Sequence, residues 1–78
     1  MSKKTLSPKN SYEWFVARYE KLGYRSLNQF AAKNGYQKSS LSRYFHQQRQ
    51  VPADTLVSLC KTLKVSPGVL LVALGHDL

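Results

Sequence analysis

The sequence predicts an all-α fold, a compact bundle of about five short helices without strands. Apolar residues recur at three- and four-residue spacing, and Gly or Pro separates the periodic segments. Hydrophobic residues make up 42% of the 78 residues, too many for a disordered basic tail. This length corresponds to one small domain, which leaves no room for separate catalytic and regulatory modules.

The first helix is predicted over residues 11–22. Asn10 and Glu13 have the spacing of a capping box, and Gly23 is suited to end the helix. The stripe between them falls at i, i+4 and i+7: Phe15, Tyr19 and Leu22. Residues 1–9 are predicted to form a basic, flexible N-terminal arm, and residues 10–78 the folded domain.

Two short helices follow, joined by a short turn. Ser26 caps a helix predicted over residues 27–34, and Gly35 ends it. The next helix is predicted from Lys38 to about His46. Its two sides differ completely: Leu41, Tyr44 and Phe45 on one, and Ser39, Ser42, Arg43 and His46 on the other.

The last two helices are predicted after Pro52. The fourth is marked by the stripe Leu56, Leu59, Cys60 and Leu63. Ser66 then caps a fifth helix, with Pro67 at its first position and Gly75 beyond its end.

Positive charge is concentrated in the middle of the chain. Lys and Arg number 12 against 4 for Asp and Glu, a net charge of +8. The segment from residue 21 to 49 holds six basic residues and no acidic one: Lys21, Arg25, Lys33, Lys38, Arg43 and Arg49. Such asymmetry indicates a surface that faces an anion such as nucleic-acid phosphate, although a solvated basic face without a partner is the simpler alternative.

Other classes of function have little support in the sequence. Cys60, His46 and Asp54 could be written as a nucleophile, a base and an orienting acid, but Cys60 lies on an apolar stripe and is predicted to be a core residue. His46 and His76 lack metal-ligand spacing, and no Gly-rich phosphate loop is present. We therefore expect no enzyme activity, metal, cofactor or small-molecule ligand. The five tyrosines are predicted to pack in or beside the core rather than stack on single-stranded bases.

No signal peptide and no apolar stretch of about 20 residues is present, so we expect a cytoplasmic protein that does not contact a membrane.

The second and third predicted helices have the pattern of a helix-turn-helix motif. Ala31 allows a close helix crossing, Gly35 can adopt the positive φ of the turn, and Leu41 fills the angle between the helices. A plain helical hairpin would explain the same pattern.

Two segments in the correct order resemble the lambda-repressor-like, or Cro-like, helix-turn-helix regulators. Residues 26–36 resemble the second helix and turn of that family, and residues 38–44 resemble its recognition helix. Residues 52–66 resemble the fourth helix and the turn into the fifth. The resemblance covers about residues 12–75.

This resemblance implies that the third helix lies in the major groove of double-stranded DNA. The residues then expected at base edges are Lys38, Ser39, Ser42 and Arg43. Those expected near phosphates are Arg25, Asn28, Gln29, Lys33, Ser40 and Arg49. As in some members, a basic N-terminal arm would add contacts through Lys3, Lys4 and Lys9. His46 is expected at the groove edge or in solvent.

The chain departs from the family at three places. Leu27 stands where a phosphate-binding Gln is usual, so Asn28 or Gln29 would take over that contact. Tyr19 and Phe45 stand where many members pair an Arg with a Glu, so an aromatic contact is expected there. Residues 47–50 lack the usual Gly.

The function expected is a sequence-specific transcriptional regulator, a small phage, plasmid or bacterial repressor. The alternative is a protein-interaction module, such as an antitoxin, built on the same fold. By family precedent a homodimer on DNA is expected. Its contact surface is predicted at Val69, Val72 and Ala73, because a short outer helix can bury only one side.

Overall fold

The computed structural model describes residues 7–76, which form five α-helices and no strand. The helices are α1 (Pro8–Lys21), α2 (Leu27–Asn34), α3 (Lys38–Phe45), α4 (Ala53–Leu63) and α5 (Pro67–Ala73). Helix α1 packs against α2, α3 and α5, while α2 packs on α3 and α4 on α5. The predicted all-α bundle is therefore confirmed.

Helix α1 begins three residues earlier than the sequence suggested. Ser7 is its N-cap, with its hydroxyl oxygen accepting the Asn10 amide at 3.3 Å, and Pro8 occupies the first turn. Proline is favoured there because its missing amide hydrogen would have had no helical partner. The predicted cap at Asn10 is wrong, and Lys9 belongs to the helix instead of preceding it.

The turn between α2 and α3 has the predicted geometry. The Ser26 hydroxyl accepts the Gln29 amide at 3.1 Å, and Gly35 ends α2 with φ +76°. Ala31 and Leu41, at the helix crossing, are 2% and 0% exposed. Both requirements of the motif are met, a close crossing and a left-handed turn residue.

Stacked and edge-on aromatic rings fill the core between α1, α2 and α3. Phe15 stacks on Phe45 with ring centroids 3.8 Å apart, and meets Phe30 edge-on at 5.5 Å. Tyr19 packs on Phe15 and Phe30 rather than on Phe45. An aromatic contact was expected between Tyr19 and Phe45, where many family members have an Arg–Glu ion pair. Phe45 does make an aromatic contact with α1, but its partner is Phe15, one turn before Tyr19.

The ends of α3 and α4 depend on left-handed residues that are not glycine. Gln47 has φ +60° and follows α3, and the Gln48 amide beyond it donates to the Arg43 carbonyl at 2.8 Å. Lys64 has φ +58° and caps α4. Each position has the conformation that glycine adopts most easily.

Helix α5 buries more of its surface than its sequence suggested. Ser66 caps it as predicted, and Leu70 is fully buried. Ala73 is only 2% exposed, so its prediction as a surface residue is wrong. Val69 is 49% exposed and Val72 is half-buried. The short helix buries Ala73, and its wholly or partly exposed large apolar residues are Val69, Leu71 and Val72.

No single helix among residues 7–76 is long and apolar enough to span a membrane; α4 and α5 reach that length only as a pair bent by 104°.

Candidate nucleic-acid interface

Helix α3 separates its apolar and polar residues onto opposite sides. Its buried residues are Leu41, Tyr44 and Phe45. Ser39 and Arg43, one turn apart, are exposed, as is Lys38 in the first turn. Ser42 is half-buried at the edge of this surface. We call Lys38, Ser39, Ser42 and Arg43 the α3 polar face. It brings the four predicted base-contact residues together on one helix.

The Arg43 guanidinium has no hydrogen-bond or ion-pair partner among residues 7–76. A planar guanidinium has five N–H donors in a fixed fork, suited to two parallel hydrogen bonds with one planar acceptor pair. Because none of the described residues occupies these donors, Arg43 is available to an external ligand.

The turn that aims α3 is tied to α4 through Tyr36. Its hydroxyl lies 2.5 Å from the Ser58 oxygen and 3.3 Å from the Thr62 hydroxyl. The Tyr36 ring also stacks near Phe30, with centroids 5.9 Å apart. Tyr36, like the other tyrosines, was predicted only to pack in or beside the core. This polar contact was missed because its partners lie 22 and 26 residues away.

His46, expected at the groove edge or in solvent, is half-buried. It ends α3 and stacks on Tyr12 of α1, with ring centroids 4.2 Å apart and planes 17° apart. Its Nδ1 lies 2.8 Å from the Ser42 carbonyl oxygen and 3.3 Å from the Ser42 hydroxyl oxygen. The His46 ring is therefore positioned by the stack on Tyr12 and by its contacts with Ser42.

The residues predicted near phosphates fall into two groups. Those that are exposed are Arg25, Asn28, Lys33 and Arg49. The other two, Gln29 and Ser40, are half-buried and have local partners. The Gln29 side-chain oxygen accepts the Arg25 amide at 2.7 Å, while Ser40 donates to Gln37 at 3.4 Å. Leu27, where the family has a Gln, is 6% exposed and packs in the core. Of the two residues proposed to replace that Gln, Asn28 is the more accessible.

Arg49 lies in the loop between α3 and α4. It lines a cleft of about 220 Å³ together with Tyr44, Leu74 and His76.

Lys3 and Lys4 lie outside the described residues. Cys60 is 8% exposed and belongs to the core, as predicted.

Comparison with protein families gives one match. A sequence model described as helix-turn-helix matches residues 17–70, from the middle of α1 to α5. Searches of curated proteins and of solved structures gave no match. The match spans most of the chain and includes the whole motif with its turn, α3 and α4. DNA-binding regulation is the function that this family supports. The chain belongs to the lambda-repressor-like family of DNA-binding helix-turn-helix proteins.

Proposed function

We propose that the protein is a sequence-specific transcriptional regulator, a small phage, plasmid or bacterial repressor, that inserts α3 into the major groove of duplex DNA. The observation that carries this proposal is the α3 polar face, on the side of the helix away from the core, where Arg43 has no partner within residues 7–76. A helix that docked on another protein would need an exposed apolar stripe there, and α3 has its large apolar side chains buried.

The chemistry of the α3 polar face suits base edges in the major groove. Arg43 can donate two hydrogen bonds to O6 and N7 of one guanine, which distinguishes that base from the other three. Lys38 can reach the same acceptors or a phosphate, and the hydroxyls of Ser39 and Ser42 can bind either kind of base group. Arg43 is the residue expected to contribute most to specificity.

The phosphate contacts are assigned to residues around this face. Arg25, Lys33 and Arg49 supply charge, and Asn28, Gln29 and Ser40 supply hydrogen-bonding groups. The first turns of α2 and α3 contain no acidic side chain, so nothing there opposes a phosphate. Lys3 and Lys4, in the segment before α1, are assigned contacts to an adjacent groove that add affinity. A cytoplasmic location is also part of this proposal.

We further propose a homodimer on DNA, with a contact through Val69 and Val72 of α5. A two-fold dimer matches two half-sites about 34 Å apart, one turn of the duplex. An exposed Val69 beside a half-buried Val72 offers the apolar area that such a contact needs.

A gel-shift titration in increasing salt tests the DNA proposal. Sites selected from a random duplex library should bind more tightly than random duplexes, and the logarithm of both binding constants should fall linearly with the logarithm of salt concentration. No retardation, or retardation independent of salt, would reject it and favour the protein-interaction module or antitoxin. Equal affinity for selected and random duplexes would reject sequence specificity alone.

Analytical ultracentrifugation with a palindromic site tests the dimer. Two chains per site are expected for the wild type, and Val72→Glu should weaken this stoichiometry. Val57→Glu, at an exposed valine (55%) on α4, is the control for placing a glutamate elsewhere on the surface of the domain. If one chain binds a site with two half-sites at saturating protein, the dimer is rejected. If Val72→Glu still binds as two chains per site, the α5 surface is rejected as the dimer contact.

A further inference from the structure

The contact between His46 and Ser42 determines where one hydrogen lies. The Ser42 carbonyl oxygen can only accept a hydrogen bond, and His46 Nδ1 lies 2.8 Å from it. A nitrogen lone pair at that distance would face the lone pairs of the oxygen, so Nδ1 must carry the hydrogen. In the neutral ring, Nε2 is then the unprotonated nitrogen.

The Ser42 hydroxyl is left with an unused hydrogen. His46 Nδ1 also lies 3.3 Å from the hydroxyl oxygen. Because Nδ1 carries the hydrogen and the carbonyl takes its shorter branch, this oxygen can only accept the longer branch of the same shared hydrogen bond. Thr62 shows the usual alternative, because its hydroxyl donates to the Ser58 carbonyl one turn back at 3.1 Å. Among the described residues, Ser42 makes no such bond to its own helix.

The position of the imidazole ring is held from a second element. Tyr12 of α1 stacks on it, nearly parallel, with centroids 4.2 Å apart. This stack restricts the plane of the ring, and the contact of Nδ1 with the Ser42 carbonyl sets which edge of the ring faces Ser42. Ser42 in turn follows Leu41 of the core and precedes the exposed Arg43, at the edge of the α3 polar face.

We propose that His46 is a positioning residue that makes Ser42 a hydrogen-bond donor toward the bases. The Ser42 hydroxyl would then select an acceptor in the major groove, such as purine N7, guanine O6 or thymine O4. It would favour these acceptors over the amino groups of adenine and cytosine, because accepting from His46 occupies one of the two lone pairs of the hydroxyl oxygen and strengthens its O–H as a donor. This inference rests on the proposed function, since it assigns a preference to one position of the DNA site.

The first test uses the free protein and needs no DNA. Long-range proton–nitrogen NMR correlation of the neutral His46 ring should show hydrogen on Nδ1 and none on Nε2. His76→Ala, which removes the other histidine, assigns the signals. The opposite tautomer would overturn the inference whether or not the protein binds DNA.

The second test measures base preference on the selected site with Ser42→Ala, His46→Ala and the double variant. Each single variant should lower the preference at the same base pair by about 3- to 10-fold, the worth of one hydrogen bond. The double variant should lose no more than Ser42→Ala alone, because both changes remove one interaction. A merely structural role for His46 would lower affinity equally for all sequences.

The conservative variant is His46→Asn. Asn34 in this chain already donates its side-chain amide to the Phe30 carbonyl one turn back at 2.9 Å, so an asparagine at position 46 has the same geometry available. It should restore the base preference that His46→Ala loses, and Tyr12→Phe, which keeps the stacked ring, should leave it unchanged.

The outcomes separate the two proposals. If the wild type binds selected sites and His46→Ala keeps the same base preference, the positioning role is wrong and the DNA proposal stands. Additive losses in the double variant lead to the same conclusion. If the wild type does not distinguish selected from random duplexes, sequence-specific binding fails, and the role of Ser42 with it, even with the predicted tautomer.

Discussion

Arg18 of α1 donates from Nε to the carbonyl oxygen of Leu63 at 2.8 Å, so the first helix caps the end of the fourth. Its Nη2 also donates to the Lys64 carbonyl at 2.9 Å. The last carbonyls of a helix lack helical partners, and a cation there also interacts favourably with the helix dipole.

Replacing Arg18 by Met should therefore destabilise the fold while leaving the α3 polar face intact. We expect a loss of about 1–2 kcal/mol in the free energy of unfolding, measured by urea denaturation. Lys21→Met is the control, since Lys21 is an exposed cation in the same last turn. If both variants lower the free energy of unfolding equally, the hydrogen bonds of Arg18 to the end of α4 contribute no stability beyond that of a positive charge.

Arg43→Ala and Lys33→Ala should affect DNA binding in different ways. Loss of the Arg43 fork should cost about 1–3 kcal/mol on the best site and change which sequences are preferred. Lys33→Ala should weaken all sequences alike and reduce the salt slope by about 1. Competition gel shifts with selected and random duplexes measure both. Equal losses on both duplexes for Arg43→Ala would mean that Arg43 contacts only phosphate.

Ser11→Ala should stabilise the protein. Ser11 is fully buried in α1, and its hydroxyl oxygen has no hydrogen-bond partner among the described residues. Removing an unsatisfied buried hydroxyl should raise the free energy of unfolding by about 1 kcal/mol. Ser39→Ala is the control, because it makes the same change in helix propensity at an exposed site. The difference between the two changes in unfolding free energy then measures the cost of burying the Ser11 hydroxyl. A smaller gain for Ser11→Ala than for Ser39→Ala would contradict this account.

Lys64→Gly should also stabilise the fold, by about 0.5–1 kcal/mol, because glycine adopts the left-handed conformation without steric cost. The Lys64 side chain is exposed, and its carbonyl, which Arg18 binds, remains in the variant. Lys61→Gly provides the contrast, since the same substitution three residues earlier, inside α4, should cost about 1 kcal/mol. Thermal melting of both variants checks the opposite signs.

Tyr19 should make the protein sensitive to alkaline pH. Burial raises the pKa of its phenol above 10.0, and repulsion from Tyr12 and Glu20 adds to this, while the Leu27 amide acts in the opposite direction. Well below pH 10.0 the phenol is neutral in both states, and its contribution to stability is complete. As pH rises further, the unfolded chain loses the proton first, so stability falls until the folded-state pKa is passed.

Tyr19→Phe should therefore flatten the decline in unfolding free energy above about pH 10. Urea denaturation at neutral pH and at about pH 11 measures this change in slope. The same slope in the variant and the wild type would show that Tyr19 is not the cause.

Local signals were sufficient to predict most of the fold. The serine caps of α2 and α5 and Gly35 all act between near neighbours, and the structure confirms each of them. The predicted start of α1 was wrong because Asn10 and Ser7 are both good caps, and Pro8, which is favoured in a first turn, makes Ser7 the better of the two.

The α3 polar face followed from helical periodicity, which directly separates buried from exposed positions. The contacts of Tyr36 with α4 and of Tyr12 with His46 could not be predicted, because each joins residues far apart in sequence. Ala73 was misplaced for a related reason. Its burial depends on how closely α5 lies on the rest of the domain, and periodicity does not report that distance.

The bond between Tyr36 and Ser58 has a consequence for the thermodynamics of association. It fixes the turn before α3 to α4 in the free protein, so α3 does not have to be ordered when a ligand arrives. Binding should then incur little loss of backbone conformational entropy in the protein. The heat-capacity change on binding should correspond to the area buried in the complex, without the larger negative value typical of coupled folding.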